Sequence, residues 1–292
     1  MTTISTCSTV VSAFMNRLFT AGVLLLVASA ACAQERCGEV VTLTTRGSTT
    51  MSYSFAEAKP AAGGPLSIVL MIGGGGYIDL DEQGCARKLS RNVLLRMRTL
   101  FNEAGISTAV VDTPNDLRTD EGFGGYRIVA DHAQDLGMVI AQIRARTKGP
   151  VWIAGHSRGS LSAANAASRL TGPAAPDGVI LLSAMYEGDP KARRQWAAHT
   201  VFHLELDAIR MPVLIVGHAA DNCVRSMPDQ MKKALDKTKG SRQQIATITG
   251  GPIAAGRPPS LAACEVGEPH DFVQQEKEVA AGIAKFVRGE TF

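Results

Sequence analysis

The pentapeptide Gly155-His156-Ser157-Arg158-Gly159 is the segment of the sequence best suited to do chemistry. A serine hydroxyl becomes a nucleophile when a neighbouring base removes its proton. The two glycines of the motif are explained by steric crowding. A serine held in a tight turn between a strand and a helix leaves no room for side chains at the flanking positions. Such a turn places the hydroxyl at the N-terminus of the helix, where developing negative charge is stabilised. The motif therefore indicates nucleophilic catalysis by Ser157.

The residues on either side of this pentapeptide favour the same interpretation. The apolar run 151–154 before it is typical of a buried strand, and the segment after it, rich in alanine and serine, predicts a helix through residue 170. A strand, a sharp turn with serine and a helix form the structural context that the motif requires. The alternative is a plain glycine-rich turn in which the serine only caps the helix, and this context disfavours it.

With this arrangement the chain resembles the α/β-hydrolase superfamily, over essentially all of the sequence that follows the N-terminal segment. The resemblance implies a triad whose members occur in the order serine, acid, histidine. It also implies an oxyanion hole formed by backbone N–H groups. It does not specify the substrate, because the fold hosts many chemistries.

His270 is the candidate base and Asp221 the candidate acid. His270 follows the last predicted strand and precedes the closing helix, which is where the resemblance places the histidine. Asp221 lies on the loop after the apolar strand 211–216, from which a carboxylate can reach the histidine loop. The base would accept the proton of Ser157, and the carboxylate would orient the imidazole. The alternative acids follow the preceding strand: Glu187 and Asp189.

Two backbone N–H groups are expected to form the oxyanion hole. One belongs to Arg158, directly after the serine, and the other to the glycine run that follows the strand 66–72. We expect Gly74 to be this second donor, with Gly75 as the next choice. Lipases and esterases often have His-Gly-Gly-Gly here, and Ile72 stands in place of the histidine. The alternative, a nucleotide-binding glycine loop, is disfavoured because no G-K-[ST] follows.

The first 33 residues predict a cleaved signal peptide and therefore export to the periplasm or beyond the cell. Arg17 is followed by an apolar run over 18–31, which is shorter than the ~20 residues that span a bilayer. The small residues 31–33 fit a signal-peptidase site. The alternatives are a lipid anchor at Cys32 and a retained membrane anchor, and we expect neither.

Four cysteines follow this segment, and an even number in an exported chain predicts two disulfides. They are Cys37, Cys85, Cys223 and Cys264. Three pairings are possible, and spacing alone leaves them open. With the triad that the resemblance implies, a Cys223–Cys264 bond would join the acid loop to the histidine loop. Cys37 and Cys85 would then fasten the N-terminus to the loop beyond the glycines.

Apolar strands alternate with helical segments throughout residues 34–292. Continuous apolar strands are buried on both faces, so the alternation predicts a doubly wound, mostly parallel α/β sheet with helices on both faces. The predicted strands are 40–45, 51–56, 66–72, 107–111, 151–154, 179–183, 213–216 and 244–248. The predicted helices include 89–104, 128–146 and 272–288. No gap is long enough for a second domain or a large lid, so 34–292 forms a single catalytic domain.

These features together predict an exported serine hydrolase that cleaves small-molecule carboxylic esters without a metal or cofactor. The loops expected around the serine are 77–80, 122–127, 186–210 and 250–269. The Arg158 side chain is expected to be solvated, with contact to an anionic group as the alternative. A net charge of +3 gives no basic surface for nucleic acid. The alternatives within the fold are a peptidase, a thioesterase or an acyltransferase, and outside catalysis a binding protein that keeps the fold.

Overall fold

The computed structural model describes residues 36–59, 61–253 and 256–292. The predicted signal peptide, residues 1–33, lies outside these ranges. Within them, no helix has both the length and the apolar character needed to cross a bilayer.

An eight-stranded sheet runs through the described residues in the order β1-β2-β4-β3-β5-β6-β7-β8. The first two strands form a hairpin, β2 pairs antiparallel with β4, and all pairs from β4 to β8 are parallel. The doubly wound, mostly parallel sheet is therefore confirmed. The strands are β1 (Glu39–Arg46), β2 (Thr49–Ala56), β3 (Ser67–Met71), β4 (Ser107–Val111), β5 (Val151–His156), β6 (Gly178–Leu182), β7 (Val213–His218) and β8 (Gln243–Ile248).

Within the described ranges, six α-helices cover the two faces of this sheet. They are α1 (Val93–Arg96), α2 (Arg98–Glu103), α3 (Ala130–Thr147), α4 (Gly159–Arg169), α5 (Met231–Lys237) and α6 (Glu276–Val287). Alternate residues of each central strand point to opposite faces, so β3 contributes Val69 and Met71 to one apolar layer and Ile68 and Leu70 to the other. The first layer contains α3, α4 and α5, and the second contains α1, α2 and α6. Burial on both faces explains the continuous apolar strands.

The segment 89–104 departs from the single predicted helix. Leu89 has a φ of +53°, and helix α1 begins only after Asn92, whose side chain accepts the N–H of Leu94 at 3.1 Å. The helix is interrupted at Met97 before α2 continues. The apolar periodicity nevertheless identifies the buried face of both helices. The consequence is that residues 89–92 form a loop beside the candidate site.

The connection between β6 and β7 carries no α-helix. It contains three short 3₁₀ helices, Gln195–Ala198, Val201–His203 and Leu206–Ala208, where the sequence left room for one or two helices. This confirms that the fold has no large lid at this position.

The closing helix also starts later than predicted, because Phe272 and Gln274 have φ values of +49° and +61° and keep the backbone out of the helix until Glu276.

A disulfide between Cys37 and Cys85 joins the chain before β1 to the loop that follows β3. The backbone N–H groups of Cys37 and Gly38 also donate to the carbonyl of Gln83, at 3.0 and 3.2 Å. The N-terminal end of the described chain is thus attached to the core at a point far from β1 in sequence.

Candidate active site

Ser157 lies in a sharp turn between β5 and α4. Its φ is +52°, in the left-handed region that residues other than glycine rarely adopt. A Cβ on Gly155 would lie 2.3 Å from the carbonyl oxygen of Gly159, and one on Gly159 would lie 1.9 Å from that of Met71. Both flanking positions therefore require glycine. The Ser157 N–H donates to Leu182 O of β6 at 2.9 Å, which fixes the turn at the end of the sheet.

Asp221 and His270 form a buried hydrogen-bonded pair. His270 Nδ1 lies 3.0 Å from Asp221 Oδ2, and both side chains are 1% exposed. Because a carboxylate only accepts, Nδ1 carries the proton and Nε2 presents a lone pair. That Nε2 has no hydrogen-bond partner among the described residues. The other carboxylate oxygen, Oδ1, accepts the backbone N–H of Cys223 at 2.9 Å, so the acid is held from both sides.

His156 connects the serine turn to the loop of His270. Its Nε2 lies 3.0 Å from the backbone carbonyl of His270, and its Nδ1 lies 2.9 Å from Asn92 Nδ2. The carbonyl accepts and the amide donates, so the ring is neutral with its proton on Nε2. Burial, together with the neighbouring His270, lowers the pKa of His156 to about 4. Among the described residues, Ser157 and His270 are not hydrogen-bonded to each other. The loops that carry them are linked through the ring of His156 instead.

Asp271 anchors the same loop to helix α1. Its Oδ1 accepts the N–H of Val93 at 3.0 Å, and its Oδ2 accepts Nη1 of Arg96 at 2.5 Å. Arg96 also donates to the backbone carbonyl of Asp271 at 2.8 Å and pairs with Glu276 at the start of α6. Sequence reasoning missed Asp271 and Arg96, and the one available signal was that Asp271 directly follows His270.

Gly74 and Arg158 both line the cavity beside Ser157. Neither residue donates its backbone N–H to an acceptor among the described residues. The glycine loop passes directly beside the serine, since a Cβ on Gly73 would lie 3.2 Å from the Cβ of Ser157. Two free N–H groups next to a serine hydroxyl are what an oxyanion hole requires.

Gly75 does not line this cavity. A Cβ on Gly75 would lie 2.8 Å from the carbonyl oxygen of Asp120, so this residue packs against the loop that begins there. Its carbonyl also accepts the N–H of Phe123 at 2.9 Å. The position of Gly75 therefore favours Gly74 as the donor.

Arg127 supports the glycine loop from inside the protein. Its Nη2 donates to the carbonyls of Ile72 and Gly74 at 2.9 and 3.2 Å, and its Nη1 donates to Ser162 Oγ at 2.8 Å. The Gly74 N–H belongs to the peptide group between residues 73 and 74. The two carbonyls belong to the peptide groups directly before and directly after it. The side chain is fully buried, and burial lowers the pKa of Arg127. We expected residues 122–127 to face the substrate, whereas Arg127 acts behind the loop.

Substituting Arg127→Lys is expected to lower kcat/KM for esters by about 100-fold, because an ammonium cannot hold two carbonyls with guanidinium geometry and a shift of ~1 Å costs about that much. Steady-state kinetics with a neutral ester measures the effect. The matched control is Ser162→Ala, which removes one guanidinium contact but keeps both carbonyl contacts. Wild-type activity in Arg127→Lys would show that the loop needs no such support.

A cavity of about 720 Å³ opens beside Ser157. The segments 89–92 and 261–266 contribute to its wall together with the serine turn and the glycine loop. Of the loops expected around the serine, 250–269 and 186–210 contribute lining residues, whereas 77–80 and 122–127 do not. Asp221 and His270 are buried and do not line the cavity, whereas Ser157 does.

The Cys223–Cys264 disulfide forms part of the cavity wall. It joins the loop of Asp221 to the segment that leads to His270, and Ser260 N donates to Asn222 O at 3.0 Å beside it. Asp221, Cys223 and His270 also bring possible metal-ligand atoms within 4.8 Å of one another. The sulfur is committed to the disulfide and the other two groups are bonded to each other, so we assign no metal to this cluster.

Replacing both Cys223 and Cys264 with serine is expected to lower both the melting temperature and the ester kcat/KM, the latter at least about 10-fold, because the acid and base loops lose their link. The control is the double serine variant of Cys37 and Cys85. The two disulfides close loops of 41 and 48 residues, so each should contribute about 4 kcal/mol to stability. Equal activity in the two folded double variants would contradict a positioning role for the first disulfide.

The other candidates from the sequence lie elsewhere. Asp189 pairs with Arg225 at 3.2 Å, Glu187 is exposed, and neither bonds to His270. Asp221 is thus the carboxylate that the structure brings to His270.

Comparison with known proteins gives a match to a family model and a set of similar structures. The family model described as "Serine aminopeptidase, S33" matches residues 96–205, which include Ser157 but neither Asp221 nor His270. No curated protein matches the sequence.

Three of the similar solved structures cover nearly the whole described chain. Est1E from Butyrivibrio proteoclasticus is 15% identical, with a TM-score of 0.56 over 86% of this chain and 98% of that one. A soluble variant of monoglyceride lipase from Saccharomyces cerevisiae is 13% identical, with a TM-score of 0.59 over 89% and 97%. XC6422 from Xanthomonas campestris, described as a serine hydrolase without lid, is 15% identical, with a TM-score of 0.51 over 86% and 94%. At these identities the similarity concerns the fold.

Proposed function

We propose, from the α/β-hydrolase fold of this chain and the geometry around Ser157, that the protein is a serine hydrolase that cleaves carboxylic esters. Ser157 would be the nucleophile, His270 the general base and Asp221 the acid that orients it. The observation that carries the proposal is the buried Asp221–His270 pair, whose free Nε2 lies on a loop that is hydrogen-bonded to the serine turn.

In the proposed reaction these groups have the following roles. Ser157 Oγ forms a bond to the acyl carbon while Nε2 of His270 accepts the hydroxyl proton. The negative charge on the carbonyl oxygen is stabilised by the N–H groups of Gly74 and Arg158. The imidazolium, held by Asp221, then protonates the departing alcohol as its bond to carbon breaks. Water, deprotonated by the same Nε2, then attacks the acyl carbon. The bond from this carbon to Ser157 Oγ breaks, the imidazolium returns the proton to Oγ, and the carboxylic acid leaves.

Intact mass spectrometry before and after treatment with a fluorophosphonate tests the nucleophile. We expect one adduct on the wild-type protein and none on Ser157→Ala, since an activated serine is what the reagent modifies. A panel of 4-nitrophenyl esters then measures hydrolysis. A folded protein that takes no adduct and cleaves no ester would contradict the proposal and favour the non-catalytic binding protein.

Export is a second part of the proposal. The two disulfides are compatible with an oxidising compartment, and the first 33 residues have the composition of a signal peptide. The mass of the protein recovered from the periplasm or medium should correspond to a chain that begins at Gln34, with two disulfides formed. Retention of the full-length chain in the cytoplasm would contradict export.

A peptidase is the second candidate, because the matching family model is described as a serine aminopeptidase. Both reactions need the same triad and differ in the leaving group, which is an amine rather than an alcohol. Aminoacyl 4-nitroanilides and the matched 4-nitrophenyl esters distinguish them. If the protein is an esterase, the ratio of kcat/KM between ester and anilide should exceed the ratio of their rates of uncatalysed hydrolysis. Efficient cleavage of the anilides would favour the peptidase.

A further inference from the structure

The side chain of Arg158 is half-buried at the cavity wall, contrary to the expectation from sequence of a solvated group. Its guanidinium lies over the ring of Trp196, 4.1 Å from the centroid. Its Nη2 is buried and has no hydrogen-bond partner among the described residues. Burial lowers the pKa of Arg158 to about 10, with a contribution from the charge of Arg225, so the group stays cationic at neutral pH. A charged donor that is desolvated and unpaired is costly unless an anion completes it.

The ring of Trp196, on which this guanidinium stacks, is held in place by its own contacts. Trp196 Nε1 donates to Glu121 Oε2 at 3.0 Å, and the other oxygen of Glu121 pairs with Arg194 at 2.6 Å. The backbone of Gly124 packs against the indole, since a Cβ there would lie 3.3 Å from Nε1. The carboxylate of Glu121 is therefore occupied by Trp196 and Arg194, and Arg158 forms no ion pair with an acid among the described residues.

The charged residues that line the cavity include one more arginine than acids. They are Arg91, Arg158, Arg225, Asp271 and Glu265. Two of them are paired outside the cavity, Asp271 with Arg96 at 2.5 Å and Arg225 with Asp189 at 3.2 Å. Two arginines then face a single glutamate. A ligand with one negative charge would neutralise the cavity.

The rim of the same cavity is apolar. Leu89, Leu261 and Val266 are 41%, 59% and 38% exposed, and all three line the cavity. They make up three of the five exposed large hydrophobic side chains in the described ranges. Exposed apolar side chains gathered at a cavity mouth are typical of a ligand-binding surface.

We propose that the ester substrate carries one carboxylate near the scissile bond, bound by the guanidinium of Arg158, and an apolar part that lies on Leu89, Leu261 and Val266. This inference rests on the proposed ester hydrolysis and names its substrate class. Ser157 and Arg158 line the same cavity, so one bound ligand can contact both residues. A carboxylate on this half-buried guanidinium would form a charge-assisted hydrogen bond, which is stronger than one between neutral groups.

Two pairs of esters of matched shape test the inference. On the acyl side, 4-nitrophenyl hemiglutarate is compared with 4-nitrophenyl valerate. On the alcohol side, 4-carboxyphenyl butyrate is compared with its methyl ester, and every rate is corrected for hydrolysis without enzyme. We expect the anionic member of at least one pair to have a kcat/KM about 10- to 100-fold higher, the range of a hydrogen bond to a charged group. Added salt should reduce this preference.

Arg158→Met keeps the backbone N–H and removes the guanidinium, so the ratio of anionic to neutral kcat/KM should fall to about one. The matched control is Arg242→Met, which removes a guanidinium stacked 3.9 Å from the ring centroid of Phe286 outside the cavity. That variant should keep the wild-type ratio.

The outcomes separate the two proposals. If neutral esters are cleaved as well as the anionic ones in both pairs, or the preference persists in Arg158→Met, the carboxylate inference is wrong and the ester hydrolase stands. If no ester of either charge is cleaved and no fluorophosphonate adduct forms, the proposed function is wrong and the inference fails with it.

Discussion

Replacing Ser157 with alanine is expected to lower kcat/KM for esters by at least about 1,000-fold, the usual scale for the loss of a triad member. The variant removes the atom that forms the acyl bond, and only the N–H groups of the oxyanion hole remain to assist the attack of water. A φ of +52° is as strained for alanine as it is for serine, so the free energy of unfolding should change by less than about 1 kcal/mol. Circular dichroism and thermal melting verify the fold.

A nearby buried serine provides the control for this variant. Ser160 lies on α4, and its Oγ accepts the N–H of Met185 at 3.1 Å. Ser160→Ala should cost about 1 kcal/mol of stability through the lost hydrogen bond and keep most of the activity. Substantial ester hydrolysis by Ser157→Ala, with activity lost in Ser160→Ala, would contradict the assignment of the nucleophile.

Replacing Asp221 with asparagine is expected to lower kcat/KM by about 10⁴-fold at pH 7, the scale reported for this change in the serine-protease triad. The structure explains the severity, because Oδ1 of residue 221 accepts the N–H of Cys223 at 2.9 Å. An asparagine that keeps this bond places its carbonyl oxygen there and turns its NH₂ toward Nδ1 of His270. The ring would then carry its proton on Nε2 and could no longer accept one from Ser157.

The tautomer can be measured directly by ¹⁵N chemical shifts of histidine in the two proteins. We expect the proton on Nδ1 in the wild type and on Nε2 in Asp221→Asn, with unchanged circular dichroism. Glu187→Gln, which alters an exposed alternative acid, is the control and should keep the activity. An active Asp221→Asn together with an inactive Glu187→Gln would move the acid to the other loop.

The strands could be predicted from the sequence because burial on both faces leaves continuous apolar runs, as in β3 and β7. The helix over 89–104 was predicted as continuous because its apolar periodicity is unbroken. Periodicity reports which face is buried, but it does not report φ. The left-handed Leu89 and the capping bond of Asn92 moved the start of α1, and these depend on local geometry.

The candidate site shows the same division. Ser157, Asp221 and His270 could be selected as candidates because each lies in a recognisable context, a glycine turn or the loop after a strand. Arg127 and Arg96 could not, because their roles come from contacts with residues 55 and 175 positions away in sequence. Nothing in a local pattern reports such contacts. The supports of a catalytic loop therefore have to be read from the structure.

Position 158 gives the protein a route to new substrates. In the proposed mechanism its main chain serves the reaction and its side chain recognises the substrate, so the two functions are separable within one residue. Every amino acid except proline retains the N–H group. A change in a single codon could therefore exchange the recognised group while acyl transfer continues, and a population under selection need not pass through an inactive intermediate. Saturation mutagenesis at this one codon would be an economical library for altering specificity.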